Sequence, residues 1–176
     1  MNTVETLAFM AEARHCAMEM DENATYIERE LPHPNVRMSD PLRAETAGLC
    51  ARLLGTKDDI IRELNEMDPL ANGGAPDERL SSRMHNIIGR IREDIIRLHG
   101  LVKALEAAAD NDPACGLAFL LVSESATNIV GAYNRIPRPA GTDVEEFFPG
   151  VGRGAPSPFN IADFDDDDFD RFFDVE

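Results

Sequence analysis

Positive charge is scarce in this chain: 17 Lys and Arg stand against 33 Asp and Glu, a formal net charge of −16 over 176 residues. Such a surface is repelled by phosphate backbones and by anionic lipid headgroups, since Lys and Arg supply most of the affinity for either. No direct nucleic-acid or membrane binding is expected, and a basic protein is the partner that the charge selects. Cysteine is equally sparse. Cys16, Cys50 and Cys115 are odd in number, widely spaced and without a C-x-x-C pair. They suggest neither a disulfide framework nor a zinc site, and they suit a reducing, cytoplasmic compartment. The longest wholly apolar run, Leu117 to Val122, is too short to cross a bilayer, and Met-Asn-Thr-Val-Glu5 lacks the basic start and apolar core of a signal peptide. A phosphate-cradling loop is missing too, because Gly73-Gly74 leads into Ala75-Pro76 with no Lys-Ser/Thr behind it, and Gly150, Gly152 and Gly154 follow no strand pattern. No cofactor is expected. Ser, His and Asp occur without a strand-turn-helix nucleophile motif, so no catalytic triad can be assembled from them.

Aromatic side chains are few and unevenly placed. There is no Trp, and before Ile136 only Phe9, Tyr26, Phe119 and Tyr133 are available to a core, which must rely on Leu, Ile, Met and Ala. What is abundant is helical punctuation. A first helix is expected from about Thr3 to Asp21; Ser39 or Asp40 can cap a second that has Pro41 in its first turn, and Asp112 can do the same before Pro113. Asn72-Gly-Gly-Ala-Pro76 cannot continue a helix and Asp77 can cap the next, so a break is expected after about Asp68. In the third segment Met84, Ile88, Ile91, Ile95, Leu98, Val102 and Leu105 alternate by four and three residues, a heptad seam. Phe119, Val122, Ala126, Ile129, Tyr133 and Ile136 repeat that signature. The second segment carries Cys50, Leu53, Leu54, Ile60, Ile61, Leu64 and Met67 at helical spacing, with Gly55 and Thr56-Lys-Asp-Asp59 as a possible bend or break.

Four such stripes on short connections can be buried only against one another. The expected fold is all-α, an antiparallel bundle of about four helices over residues 1–136, with an open hairpin completed by dimerisation as the alternative. After Ile136 nine Pro and Gly fall within twenty-two residues, so 137–158 reads as a linker, with Val144-Glu-Glu-Phe-Phe148 as an aromatic island inside it. Residues 159–176 form an acidic aromatic tail. Seven of the nine Phe lie in the last thirty residues, and Asp163 to Glu176 hold seven Asp, one Glu and one Arg, which is −7 of the net charge. Carboxylate repulsion opposes collapse of this segment, while large aromatic groups in water favour a complementary surface. That combination describes a disordered docking peptide, with Phe164, Asp165, Asp166, Asp167, Asp168, Phe169, Phe172 and Phe173 as its contact residues. A nucleic-acid-mimicking or autoinhibitory tail and a merely solubilising terminus are the alternatives.

Phe164-Asp-Asp-Asp-Asp-Phe169 resembles the acidic tip of bacterial single-stranded-DNA-binding proteins, which implies docking on replication and repair enzymes. The resemblance covers about a tenth of the chain; those tips end in a hydrophobic residue, whereas Asp174-Val-Glu176 follow Phe173 here. Asp166, Phe169, Phe172 and Phe173 also resemble a sliding-clamp-binding peptide, in which Gln stands at the position of Asp166. Glu12-Ala-Arg-His15 is a Glu-x-x-His pair of the kind that holds metals in bundles, and Glu19-x-x-Glu22 resembles half of the magnesium site of all-helical nucleotide pyrophosphatases. Both read as solvated surface, so no metal site is expected. His85, Arg92, His99 and Glu106 recur every seven residues beside the seam, and Arg92 to His99 resembles the Arg-x₄₋₆-His pattern of all-helical ribonucleases of the HEPN type, which implies Arg steadying phosphate and His moving protons. A polar stripe flanking the core is the plainer reading of the same residues. The sequence therefore points to a non-enzymatic adaptor, inhibitor or regulator of a nucleic-acid-processing enzyme. An assembly protein that homo-oligomerises through the bundle is the second reading, and an RNA-cleaving domain using Arg92 and His99 the third.

Overall fold

The computed structural model describes residues 3–73 and 77–139, and the tail residues named above lie outside that range. Within it, four helices run in sequence: α1 Thr3–Glu30, α2 Asp40–Asn72, α3 Asp77–Asn111 and α4 Gly116–Arg135, with a single 3₁₀ turn, Pro113–Cys115, leading into α4. Among the described residues there is no strand. The fold is the expected antiparallel four-helix bundle, and cross-helix contacts fix its order. Lys57 meets Asp21 at 3.6 Å and pairs α2 with α1. Arg83 meets Glu63 and Glu66 at 2.6 and 2.7 Å, and Arg90 meets Asp59 at 3.0 Å, pairing α3 with α2. Arg135 approaches Glu12 at 3.7 Å, closing α4 on α1. Each helix packs on its two neighbours in a ring, and the apolar stripes bury one another within a single chain.

The α3 seam is buried throughout, from Met84 to Leu105, and Leu80, Ile87 and Leu101 widen it. Along α4 burial extends beyond the expected stripe to Ala118, Leu121, Ser123, Ser125, Val130 and Ala132. Pro113–Arg135 is long and apolar enough to cross a membrane, but much of it is wall of this bundle, a core-helix property that is compatible with a soluble protein. Of the four aromatic residues expected to fill the core, Phe9 and Tyr133 are buried, Phe119 is partly buried, and Tyr26 is 39% exposed with the Arg29 guanidinium 5.1 Å from its ring centre.

Boundaries differ from the sequence reading in three places. α1 continues nine residues past Asp21 because Asn23, Ala24 and Ile27 stay on the buried face. α2 passes through Gly55 without a break: Leu53 and Ile60, seven residues apart, are both buried, and Asp59 pairs with Arg62 and Arg90 instead of capping a new helix. It also runs past Asp68 to Asn72, carrying Pro69 in its last turn. Gly73 then ends it by donating its N–H to Pro69 O at 2.9 Å, an approach so close that an added Cβ would sit 2.9 Å from the same oxygen. The starts follow expectation. Ser39 Oγ accepts from Leu42 N–H at 3.5 Å ahead of α2, and Asp112 Oδ1 accepts from Ala114 N–H at 3.0 Å in the turn before α4.

Candidate functional site

Every residue assigned to partner docking (Phe164, Asp165, Asp166, Asp167, Asp168, Phe169, Phe172 and Phe173) lies outside the described residues. What the fold displays is the body that carries them. Its last packed segment reaches past Ile136: Ile136 and Pro139 are buried, and the Arg138 guanidinium lies over the Tyr133 ring, 4.2 Å from its centre. The Tyr133 hydroxyl is buried without a hydrogen-bond partner among the described residues, and burial pushes its pKa up, an effect that the positive charges of Arg138 and Arg92 oppose. The described chain therefore ends at the pole where α4 ends and α1 begins.

The Arg92/His99 pair stands on the α3 flank, both residues half-buried. Arg92 has its Nε shut off from solvent and its charge within electrostatic reach of Tyr133. His99 lies two helical turns along, roughly 10 Å on the axis. Burial lowers its pKa, Lys103 lowers it further, and Glu106 acts in the opposite direction. His85, at the exposed start of the stripe, has Nδ1 at 2.7 Å from Ser81 O. Along this stripe Arg92 and His99 thus stand two helical turns apart. Glu12 and His15 are divided in the same way, Glu12 meeting Arg135 and His15 approaching Glu19 at 3.7 Å. Glu19 Oε2 also accepts from Asn23 Nδ2 at 3.1 Å, while Glu22 is exposed.

Three arrangements were not anticipated from the sequence. Asp94, on α3 between Ile91 and Ile95, is completely buried; its Oδ1 accepts from Arg52 Nε at 2.5 Å, and its Oδ2 has no hydrogen-bond partner among the described residues. Arg52 reaches Glu93 as well, at 3.3 Å. Asn23 and Asn128 join α1 to α4 through a 3.1 Å hydrogen bond donated by Asn128 Nδ2. The third is an open groove of about 380 Å³ between α2 and α3, lined by Glu45, Gly48, Leu49, Arg52, Arg97, Gly100 and Leu101. A Cβ on Gly48 or Gly100 would meet nothing within 4 Å, so the groove floor is bare backbone. Glycines in the helix patterns did not single it out, because a Cβ at Gly55, Gly89 or Gly131 would equally meet nothing within 4 Å.

Cys16 and Cys50 are buried, and burial raises both thiols to about 12, with nearby Glu19 and Glu28 adding to the rise; neither is a poised nucleophile. Compared with protein-family models, with curated proteins and with solved structures, the chain matches none.

Proposed function

We propose that the chain is a non-enzymatic adaptor, inhibitor or regulator, a helical bundle that presents an acidic, Phe-rich peptide to a basic, partly apolar groove on a nucleic-acid-handling protein. The observation that carries this reading is the segregation of chemistry along the chain. Aliphatic side chains fill the bundle almost alone, whereas five of the nine Phe and −7 of the charge sit in residues 159–176. Carboxylates of Asp165 to Asp168 steer the approach and pair with Lys or Arg of the partner, while Phe164, Phe169, Phe172 and Phe173 fill apolar pockets and supply most of the affinity. Association rates of the tail peptide with a captured partner at two ionic strengths test the division of labour. Replacing Phe169, Phe172 and Phe173 by Ala is expected to weaken binding by several kcal/mol, at about 2 kcal/mol per hot-spot residue before non-additivity. Replacing Asp165 to Asp168 by Asn is expected to slow association and flatten its salt dependence. If the Phe variant binds like the parent and the Asn variant loses all binding, the tail is a polyanion mimic of nucleic acid.

A role in assembly is the second reading. Val4, Leu7 and Met18 on α1 are exposed at 75, 44 and 53%, and they fall on one heptad-spaced line available to another helix. The RNA-cleaving reading has its own test: cleavage by the parent that is abolished in both Arg92→Ala and His99→Ala would replace the adaptor assignment.

A further inference from the structure

We propose that the groove between α2 and α3 is the resting seat of the chain's own tail, which holds the docking peptide against the bundle until a partner competes for it. The inference rests on the docking-peptide reading and adds its regulation. Leu49 and Leu101 give the groove apolar walls, Gly48 and Gly100 give it an open floor, and its volume of about 380 Å³ is enough for an aromatic ring. Arg52 is already committed to Asp94 and Glu93. Arg97 is exposed and, among the described residues, makes no ion pair or hydrogen bond, so the groove carries one uncommitted guanidinium. Glu45 is the one carboxylate in the lining. A peptide that alternates Phe with Asp is complementary to that set: a ring between the leucines, and carboxylates on Arg97 and away from Glu45.

Reach permits the contact. The chain leaves the bundle at Pro139, at the pole where α2 ends, and Gly48 lies about 36 Å up the α2 axis from Asn72 at 1.5 Å per residue. The 24 residues from 140 to 163 span at most about 80 Å extended, and about 25–30 Å as a random coil. Phe164 and Phe169 therefore fall within range of the groove. A tether of this kind gives an effective concentration in the millimolar range, so a groove that binds the peptide with a dissociation constant between about 1 and 0.1 mM would weaken partner binding about twofold to tenfold.

The test uses the whole chain and its backbone amide spectrum. In the parent, the Gly48 and Gly100 amides are expected to shift when Phe164, Phe169, Phe172 and Phe173 are replaced by Ala, and to shift the same way when salt rises from about 0.1 to 1 M, where the Debye length falls from about 10 to 3 Å. Arg97→Glu is expected to reproduce the shift of Gly48 and to move the tail amides to the positions of the isolated 159–176 peptide. Gly48→Leu, which has room for its side chain and a better helix propensity, fills the groove without touching any charge and is expected to release the tail equally. Unchanged Gly48 and Gly100 amides in the tail variant, or shifts confined to another face, overturn the proposal. The docking reading fails separately: a tail peptide that captures no basic partner while the glycine shifts occur removes the adaptor and leaves the latch.

Discussion

Arg52 and Asp94 form one of the ion pairs that join α2 to α3, beside Arg83 with Glu63 and Glu66 and Arg90 with Asp59. Asp94 lies among isoleucines and keeps its charge company through Arg52, which is itself 40% exposed. Arg52→Ala leaves an uncompensated buried carboxylate, and urea unfolding is expected to show a loss of about 2–3 kcal/mol, below the roughly 3–5 kcal/mol of a fully enclosed pair. Asp94→Leu together with Arg52→Leu is expected to recover most of that stability, because the carboxylate that needs solvation is gone. His99 is expected to contribute a pH dependence. Its pKa is lowered in the fold, chiefly by burial, so the unfolded chain binds more protons between the folded value and the unperturbed value of about 6.5. The His99 contribution is complete above about pH 6.5 and is lost as pH falls through the folded pKa. Denaturation midpoints measured from pH 8 to 5 should decline less in His99→Gln than in the parent; equal slopes would place the titrating group elsewhere.

Among the connections between elements, the one from α1 to α2 is held in part by one side chain of α2. Arg43, on the first turns of α2, donates to Leu31 O and, at 2.9 Å, to Val36 O, while Leu31 and Val36 tuck into the core. Arg43→Ala leaves both carbonyls without this donor, and a loss of about 1.5–3 kcal/mol is expected from the thermal midpoint, as for a hydrogen bond to a charged group. The elements themselves were legible from sequence wherever one apolar stripe and one cap agreed, as in α3 with its seam and α2 with Ser39 and Pro41. Legibility failed where local signals opposed tertiary burial. Gly55 and Thr56-Lys-Asp-Asp59 have the chemistry of a break, but Leu53 and Ile60 hold the helix continuous, and Pro69 is carried in the last turn of α2 although it supplies no N–H to the carbonyl four residues back, one turn before Gly73 ends the helix. The groove was invisible for a related reason: periodicity shows which face is buried and does not show where two neighbouring helices leave a space.

At the scale of the molecule, burial within the described residues continues past Ile136 to Pro139. Ending the chain after Pro139 is expected to leave the helical circular-dichroism signal and melting temperature nearly unchanged, whereas ending it after Ile136 removes Arg138 from the face of Tyr133 and uncovers that ring. A midpoint a few degrees lower for the shorter form, about 2–4 °C per kcal/mol at this domain size, is the expected outcome. Identical midpoints would make Arg138 an ornament. The tail residues could be nominated from composition alone, since charge and aromatic content need no fold to be counted, but the groove proposed to receive them could not. The ring of four antiparallel helices has a practical consequence as well. An even number of passes returns the end of α4 to the pole where α1 begins, and leaves the half-buried Cys115, at the start of α4, on the opposite pole. Burial and Asp112 raise that thiol, so its alkylation is slow, while Cys16 and Cys50 are enclosed. A maleimide linker at Cys115 would anchor every molecule to a sensor surface in one orientation, with residues 140–176 issuing from the pole that faces the flow.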